Sequence, residues 1–417
     1  MTKTASSNKE TLQLTVLLGD FRLLLILFVA FRVLFALTYQ PLLFSTGERG
    51  ITTGGDFLTY FQLGELTETG LLPFRDWWSE FPPIPSYLIT LIYQVSGGNY
   101  SSFAFVLGSL FLACDVGVLV LLRKIATHLY NPNMGMSIAW VYALFFAPTV
   151  MIWWNFEILV TLFLLLGLWF ALKRQDHVSA LWAGVGALVK FTPAILLAPI
   201  WRFRARNRAI VYTAIITVVF GLVYGLLLLQ NAEMTLPSLV AQFGKASYQT
   251  VWALIDGNYR TGNFGAVIER LDPAFASVLI GNPAVIPSFV RLGIALAVGL
   301  FVFLRVRRFD DRGFVAFLLI SLLIFFLQAQ GWSPQWIIQI IPLALLCFPT
   351  RQGILSLVLL TAAVFVEYPY LFLRTAETNG VISGELLMPF TALVLGRTAL
   401  LIGFCFALYQ KLRQESL

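Results

Sequence analysis

The chain has 417 residues, is 59% hydrophobic and only 12% charged, and carries repeated apolar runs of about 20 residues, the length that crosses a bilayer core of roughly 30 Å. This composition excludes a soluble domain and describes an all-α, polytopic helical membrane protein. The formal net charge of +7 does not indicate nucleic acid, because Lys and Arg cluster in short segments between the apolar runs, as the positive-inside rule expects.

The N-terminal MTKTASSNKETLQLTVLLGDFR is polar, then apolar, without a small-residue cleavage site. Its apolar stretch runs on toward Phe44, too long for a signal peptide, so the first helix is expected to stay attached. Basic punctuation then sets the topology: Arg123 and Lys124, Lys173 and Arg174, Arg202 to Arg208, Arg305 to Arg312, Arg351, and Lys411 with Arg413 are expected on the cytoplasmic side. About ten full spans fall near 21–44, 101–122, 135–151, 157–172, 209–230, 286–304, 312–330, 336–349, 353–371 and 389–410, with both termini inside. Cys114, Cys347 and Cys405 each lie within an apolar run and read as small packing residues.

Residues 178–201 are long enough for one span, yet both flanks are basic, and a single crossing would put every later basic segment outside. A hairpin broken at Lys190-Phe191-Thr192-Pro193 resolves this, because Pro193 removes a helical hydrogen bond and disfavours helix before it. Each arm of about 12 residues reaches roughly 18 Å, so the tip stops within the membrane, where its backbone must be buried in protein or line a cavity. The non-basic loops, chiefly 45–100 and 231–285, face outward and hold most of the carboxylates.

The first of these loops gathers Asp56, Glu65, Glu68, Asp76 and Glu80. After Asp56, Phe57, Tyr60, Phe61 and Gly64 recur at helical spacing and Gly70 is a natural stop, which predicts a short interfacial helix. Pro82 and Pro83 predict the first turn of a second helix, with Glu80 just ahead of its exposed N–H groups. Asp56 reads either as a helix N-cap or as a carboxylate held at the membrane surface for chemistry, and Glu65 and Glu68 read as a solvated face.

The order Asp56, Phe57, Gly70, Pro73-Phe74-Arg75 and Phe81-Pro82-Pro83, with the Cys114-Asp115 pair of a second span, resembles GT-C membrane glycosyltransferases. It is similar in particular to the polyprenol- or dolichol-phosphate-mannose-dependent mannosyltransferases, the glycosylphosphatidylinositol first-mannose enzymes and their bacterial relatives among them. Asn155-Phe156-Glu157, residues 183–199 and the GWSPQW of 331–336 resemble further features of that group. The likeness covers residues 50 to 200 and weakens beyond. It implies a single GT-C-like module over 1–417, with 45–100 as its catalytic loop and the active site on the extracytoplasmic or lumenal side. It also implies inverting transfer of a sugar, mannose above others, from a polyprenyl-phosphate-linked donor to a lipid or glycan acceptor. The family's Asp-x-Asp stands here as Gly54-Gly55-Asp56, so its first carboxylate is missing; no metal ligand or cofactor is assigned, and dependence on a divalent metal stays open.

The chemistry of such a transfer needs a base for the acceptor hydroxyl, worth roughly 10²- to 10⁴-fold in rate, and cations for the departing phosphate. Asp56 is the candidate base. Arg75, Lys190, Arg260 and Arg374 are candidates for the phosphate, since guanidinium matches its oxygens in a fork and Lys supplies a point charge. Lys190 stands out, because a lysine at membrane depth is expensive unless it functions or snorkels. Tyr60, Asp76, Glu80, Glu157 and Gln335 are candidate substrate contacts. Trp77, Trp78, Trp332 and Trp336 fit an interfacial aromatic belt, and Arg291 and Arg397 fit snorkelling at span ends. Two other classes remain open on sequence: a transporter or flippase of a lipid-linked sugar, and an inactive relative. Against the former stand one interrupted hairpin without a counterpart and the concentration of acids in one loop.

Overall fold

Apolar runs that must satisfy their own backbone in lipid fold as helices, and the computed structural model shows this over the residues it describes: 14–38, 55–262, 265–375 and 378–415. Gly54, the 39–44 end of the expected first span, positions 45–54 of the first loop, Asn263, Phe264 and positions 376–377 lie outside the described residues. Strand pairing among the described residues is limited to three isolated bridges.

Among the described residues seven helices are long and apolar enough to cross a membrane: Phe21–Thr38, Tyr100–Leu129, Arg206–Gln230, Ser288–Arg305, Asp311–Gln328, Arg351–Arg374 and Gly384–Arg413. Three of the expected spans fall below that length, although 157–172 keeps its expected bounds. Pro132–Leu144 breaks at extended Phe145, and Phe146–Met151, which follows at once, carries Pro148. Glu157–Leu172 has 16 residues, and the helix Ile337–Cys347 has 11, each of the latter buried. That last helix is wrapped by protein, so its ends need not reach both lipid surfaces; hydropathy sees the apolar run but not what surrounds it. Lipid-facing positions are elsewhere, as in Leu222, Leu226 and Leu229 or Phe289, Leu296 and Leu304, all exposed.

The broken hairpin is present. Helix Asp176–Ala187 stops, Thr192–Leu196 forms a 3-10 turn around Pro193, and Leu197–Phe203 resumes as helix. Its interrupted backbone is satisfied by protein: the carbonyl of Leu188 accepts the N–H of Ile84 at 3.0 Å, as burial in a membrane requires.

Basic segments collect at one end of the bundle. There Asp311 meets His128 at 2.9 Å and Arg174 at 3.0 Å, Arg204 meets Asp176 at 3.0 Å, and Arg312 donates to the carbonyl of Leu129 at 3.0 Å. The first loop and the residues after Gln230 form the opposite end, where the indole of Trp78 donates to the carbonyls of Glu269 and Asp272 at 3.0 and 2.9 Å.

Inside the bundle, Arg32 and Asp115 form an ion pair with neither side chain exposed. Tyr142 donates its hydroxyl to the other carboxylate oxygen at 2.6 Å, and the ring of Phe28 lies 3.4 Å from the guanidinium. This buried pair ties the first span to Tyr100–Leu129 and Pro132–Leu144.

Two expectations change here. Arg291 and Arg397 do not snorkel: each is 2% exposed, Arg291 bonds Gln330 at 3.1 Å, and Arg397 pairs with fully buried Glu367. Trp77, Trp78 and Trp332 are interior residues, not a belt; Trp332 donates its indole N–H to Glu367 at 2.9 Å. Buried Glu367 accounts for Arg397 and Trp332, because a carboxylate inside the protein recruits cations and N–H donors away from the interface.

Candidate active site

The first loop folds as its spacing predicts, with helix Gly55–Glu65, a 3-10 turn Leu66–Thr69 closed by left-handed Gly70 (φ 79°), and helix Pro83–Val95. Gly64 lets the two helices touch, since a Cβ there would stand 2.6 Å from that of Tyr93. Phe57 packs edge-on against Phe111 at 5.9 Å and Tyr60 meets Phe156 at 5.9 Å, fixing the helix on the bundle. Asp56, in its first turn, is thereby held over the turn that precedes Glu157–Leu172.

There the side chains join in a chain of polar contacts. Asn155 donates its amide N–H to Asp56 Oδ2, and the Tyr60 hydroxyl reaches the same oxygen at 3.4 Å. Asn155 Oδ1 accepts the N–H of Glu157 at 2.8 Å, which fixes its amide orientation. Glu157 is buried and splits its oxygens: Oε2 takes Lys190 Nζ at 2.7 Å and Oε1 takes the amide of Gln339. Lys190 also lies 5.5 Å from the ring centroid of Trp336. Among the described residues Asp56 Oδ1 receives no hydrogen bond, and the residue is half-buried. One oxygen of this carboxylate is thus anchored and the other is open.

Burial pushes the Asp56 carboxyl up to about 6. The hydrogen bonds from Asn155 and Tyr60 and the charge of Lys190 oppose that shift, and Glu157 adds to it. Such a group is roughly nine-tenths ionised at pH 7 and binds a proton readily, the balance a general base needs. Tyr248 and Tyr368 stand within range of the same charge.

Around this chain several buried polar atoms have no partner among the described residues: the hydroxyl of Tyr368, the indole N–H groups of Trp154 and Trp336, and Gln339 Oε1. The rings of Trp154 and Tyr368 meet at 4.0 Å, tilted by 32°, beside Asn155. Unpartnered polar atoms occur elsewhere in the bundle too, at Arg32, Trp77 and Arg202 for example, and four of them stand along this chain of contacts.

The other residues singled out from sequence lie elsewhere. Arg75 is spent on the loop, with Asp76 at 2.7 Å and the carbonyl of Gly70 at 2.8 Å. Asp76 also caps the N–H of Leu72 at 2.8 Å, a bond that holds its carboxyl below the usual range. Glu80 is buried between Lys245 and Arg270. Arg260 donates to the carbonyl of Ile280 at 3.2 Å, Arg374 is exposed, and half-buried Gln335 sits in the turn Pro334–Trp336 next to the ring that faces Lys190. Asn155, Gln339, Lys245 and Arg270 were not chosen from sequence. Gln339 did carry a signal, a lone amide in the apolar run IIQII; Lys245 and Arg270, in polar loop sequence, carried none. Among the described residues no three His, Cys, Asp or Glu side chains gather as a donor set for a metal.

The model of glycosyltransferase family 87 matches residues 81–329 of the sequence, more than half of its 417 residues. A comparison with curated proteins finds no match. Among solved structures, ArnT from Cupriavidus metallidurans in the apo state is 13% identical with a TM-score of 0.49, over 92% of this chain and 75% of its own. The Archaeoglobus fulgidus oligosaccharyltransferase in the apo form is 12% identical with a TM-score of 0.43, over 94% of this chain and 56% of its own. The archaeal oligosaccharyltransferase AglB from Archaeoglobus fulgidus, in complex with an inhibitory peptide and a dolichol-phosphate, is 13% identical with a TM-score of 0.38 and covered over 56% of its length. The chain spans a little over half the length of these archaeal enzymes.

Proposed function

Since the chain belongs to glycosyltransferase family 87, a GT-C-type family, we propose that it transfers a sugar, with inversion, from a polyprenyl-phosphate-linked donor to a lipid or glycan acceptor on the extracytoplasmic or lumenal side of the membrane. The observation that carries this reading is Asp56, one oxygen tied by Asn155 and Tyr60 and the other open. Asp56 Oδ1 takes the proton of the acceptor hydroxyl as that oxygen bonds to the anomeric carbon. On the opposite face of the sugar the bond from carbon to phosphate oxygen breaks, and polyprenyl phosphate leaves with the electron pair. The whole chain acts as one module, with the first loop supplying the base.

Buried Tyr368, Trp154, Trp336 and Gln339 offer their unpaired donors and acceptor to sugar hydroxyls, together with the substrate roles read for Tyr60 and Glu157. Lys190, beside Glu157, is the best placed of the four cations read from sequence to stabilise the phosphate, because Arg75 serves its own loop and Arg260 and Arg374 stand apart. Mannose is the sugar the resemblance favours. The side assignment follows from the basic end, which the positive-inside rule puts in the cytoplasm.

The test is transfer by purified protein offered a panel of polyprenyl-phosphate sugars and candidate acceptors, with product anomeric configuration read by NMR. A product of inverted configuration is expected, with the mannosyl donor preferred; retained configuration refutes the single-displacement mechanism, and no transfer from any donor supports the inactive relative.

The raised Asp56 pKa has a signed consequence. Protonation removes the base, so kcat/KM is expected to fall about tenfold per pH unit below about 6 and to level off above it. Lys190→Met removes a charge that favours ionised Asp56 and moves the acid limb to higher pH, whereas Glu157→Gln moves it lower. A pH–rate series on the three proteins checks the order.

A further inference from the structure

A second charged cluster lies beside the reaction centre and outside its chain of contacts. Glu80, 6% exposed, pairs through one oxygen with Lys245 Nζ and through the other with Arg270 Nη2 at 3.4 Å. The guanidinium of Arg270 lies 4.2 Å from the ring centroid of Trp78. Trp78 is locked in turn by its indole bonds to residues 269 and 272 and by its own N–H, which donates to the carbonyl of Arg270 at 2.9 Å. Glu269 lines the same cleft but packs its carboxylate against Gly265 and pairs with neither cation. Across from the charges the wall is apolar, formed by Phe275, Val278 and Ile280, which are 43%, 50% and 36% exposed.

The cluster adjoins the chamber on two sides. The turn Val267–Leu271 packs on the helix that carries Asp56, and Phe81, next to Glu80, meets Phe156 edge-on at 5.0 Å between Asn155 and Glu157. Two cations, one of them held by Trp78 and both already converged on one carboxylate, are the equipment for a phosphate, and guanidinium fits its oxygens in a fork. The exposed apolar wall adds a place for a hydrocarbon chain on that phosphate.

We infer that Lys245 and Arg270 form the seat for an isoprenyl phosphate, with the Glu80 carboxylate as the built-in anion that this phosphate displaces. The chemistry recognised is a phosphate ester on an apolar chain. The inference rests on the reading above for the choice of an isoprenyl chain over a phospholipid. It assigns Glu80 the opposite sign from a substrate contact: the carboxylate competes with the ligand. Displaced Glu80 would return to the cations as the lipid phosphate departs, which opposes product retention.

The experiment is equilibrium binding of a short-chain isoprenyl phosphate to the full chain in nanodiscs of neutral lipid. Arg270→Gln and Lys245→Gln are each expected to weaken binding about tenfold or more, since each removes a charge-assisted hydrogen bond. Glu80→Gln keeps the side chain's size, removes the competing negative charge and is expected to tighten binding several-fold, a result that a purely structural Glu80 would not give. Inorganic phosphate and nanodiscs doped with anionic phospholipid are the competing arms, and neither is expected to displace the probe at equal concentration. Unchanged or weaker binding in Glu80→Gln, or unchanged binding in both cation variants, overturns the inference, as does full displacement by anionic phospholipid. Asp56→Asn is carried alongside: wild-type binding there with lost transfer upholds the base whatever the seat variants do, so the two readings fail separately.

Discussion

Asp56→Asn is expected to lower the rate of sugar transfer by roughly 10²- to 10⁴-fold, the usual worth of a positioned general base. The substitution is close to isosteric, and its amide oxygen can still accept the N–H of Asn155 and the hydroxyl of Tyr60, so the helix Gly55–Glu65 keeps its anchor. What disappears is the basic oxygen. Steady-state assays at saturating donor should therefore show the loss in kcat, with donor affinity close to wild type. A variant that transfers sugar at the wild-type rate would move the proton acceptor elsewhere, and buried Glu157 is a poor substitute because Lys190 and Gln339 already hold both of its oxygens.

Arg32→Met is expected to destabilise the protein by about 3–5 kcal/mol, because it strands the Asp115 carboxylate in the bundle interior with Tyr142 as its remaining partner. Replacing both members, as in Arg32→Met with Asp115→Leu, should recover much of that loss, since neither charge is then left unpaired. Thermal unfolding in a single detergent, wild type against the single and double variants, measures the cycle. A single variant within about 1 kcal/mol of wild type would mean that the pair does not hold the first span. The same contact bears on function at one remove, because Tyr100–Leu129 also carries Phe111, against which Phe57 packs one residue from Asp56.

The bundle was readable because lipid imposes a simple rule on sequence: apolar length makes helix, and basic loops mark one side. Pro193 between two basic flanks announced the broken hairpin for the same reason. The rule does not separate a short apolar helix enclosed by protein, as Ile337–Cys347 is, from one that faces lipid, because burial in protein and burial in lipid leave the same composition. It also misjudges Arg291, Arg397 and Trp332, whose partners Gln330 and Glu367 come from distant segments.

For the site, Glu157 and Lys190 stood out as charges where the chain is otherwise apolar, and the family resemblance singled out Asp56 among the acids of the first loop. Their arrangement could not. Asn155 lies 99 residues from Asp56, Gln339 is 182 from Glu157, and Lys245 is 165 from Glu80. Asn155 in particular is an ordinary turn residue until its two ends are seen to join a carboxylate to a helix N-terminus. Arg75 looked equally suited to phosphate until Asp76 and the local backbone claimed its donors.

The central claim is that acceptor and lipid-linked donor meet at the open oxygen of Asp56. A structure of the Asp56→Asn protein trapped with a polyprenyl-phosphate sugar and an acceptor tests it most directly. The account predicts the acceptor hydroxyl within about 2.6–3.2 Å of the side-chain atom at position 56 that replaces Oδ1, with the anomeric carbon beyond it and the phosphate on the far side. A donor whose anomeric carbon lies at the basic end of the bundle, or away from position 56 altogether, would contradict it.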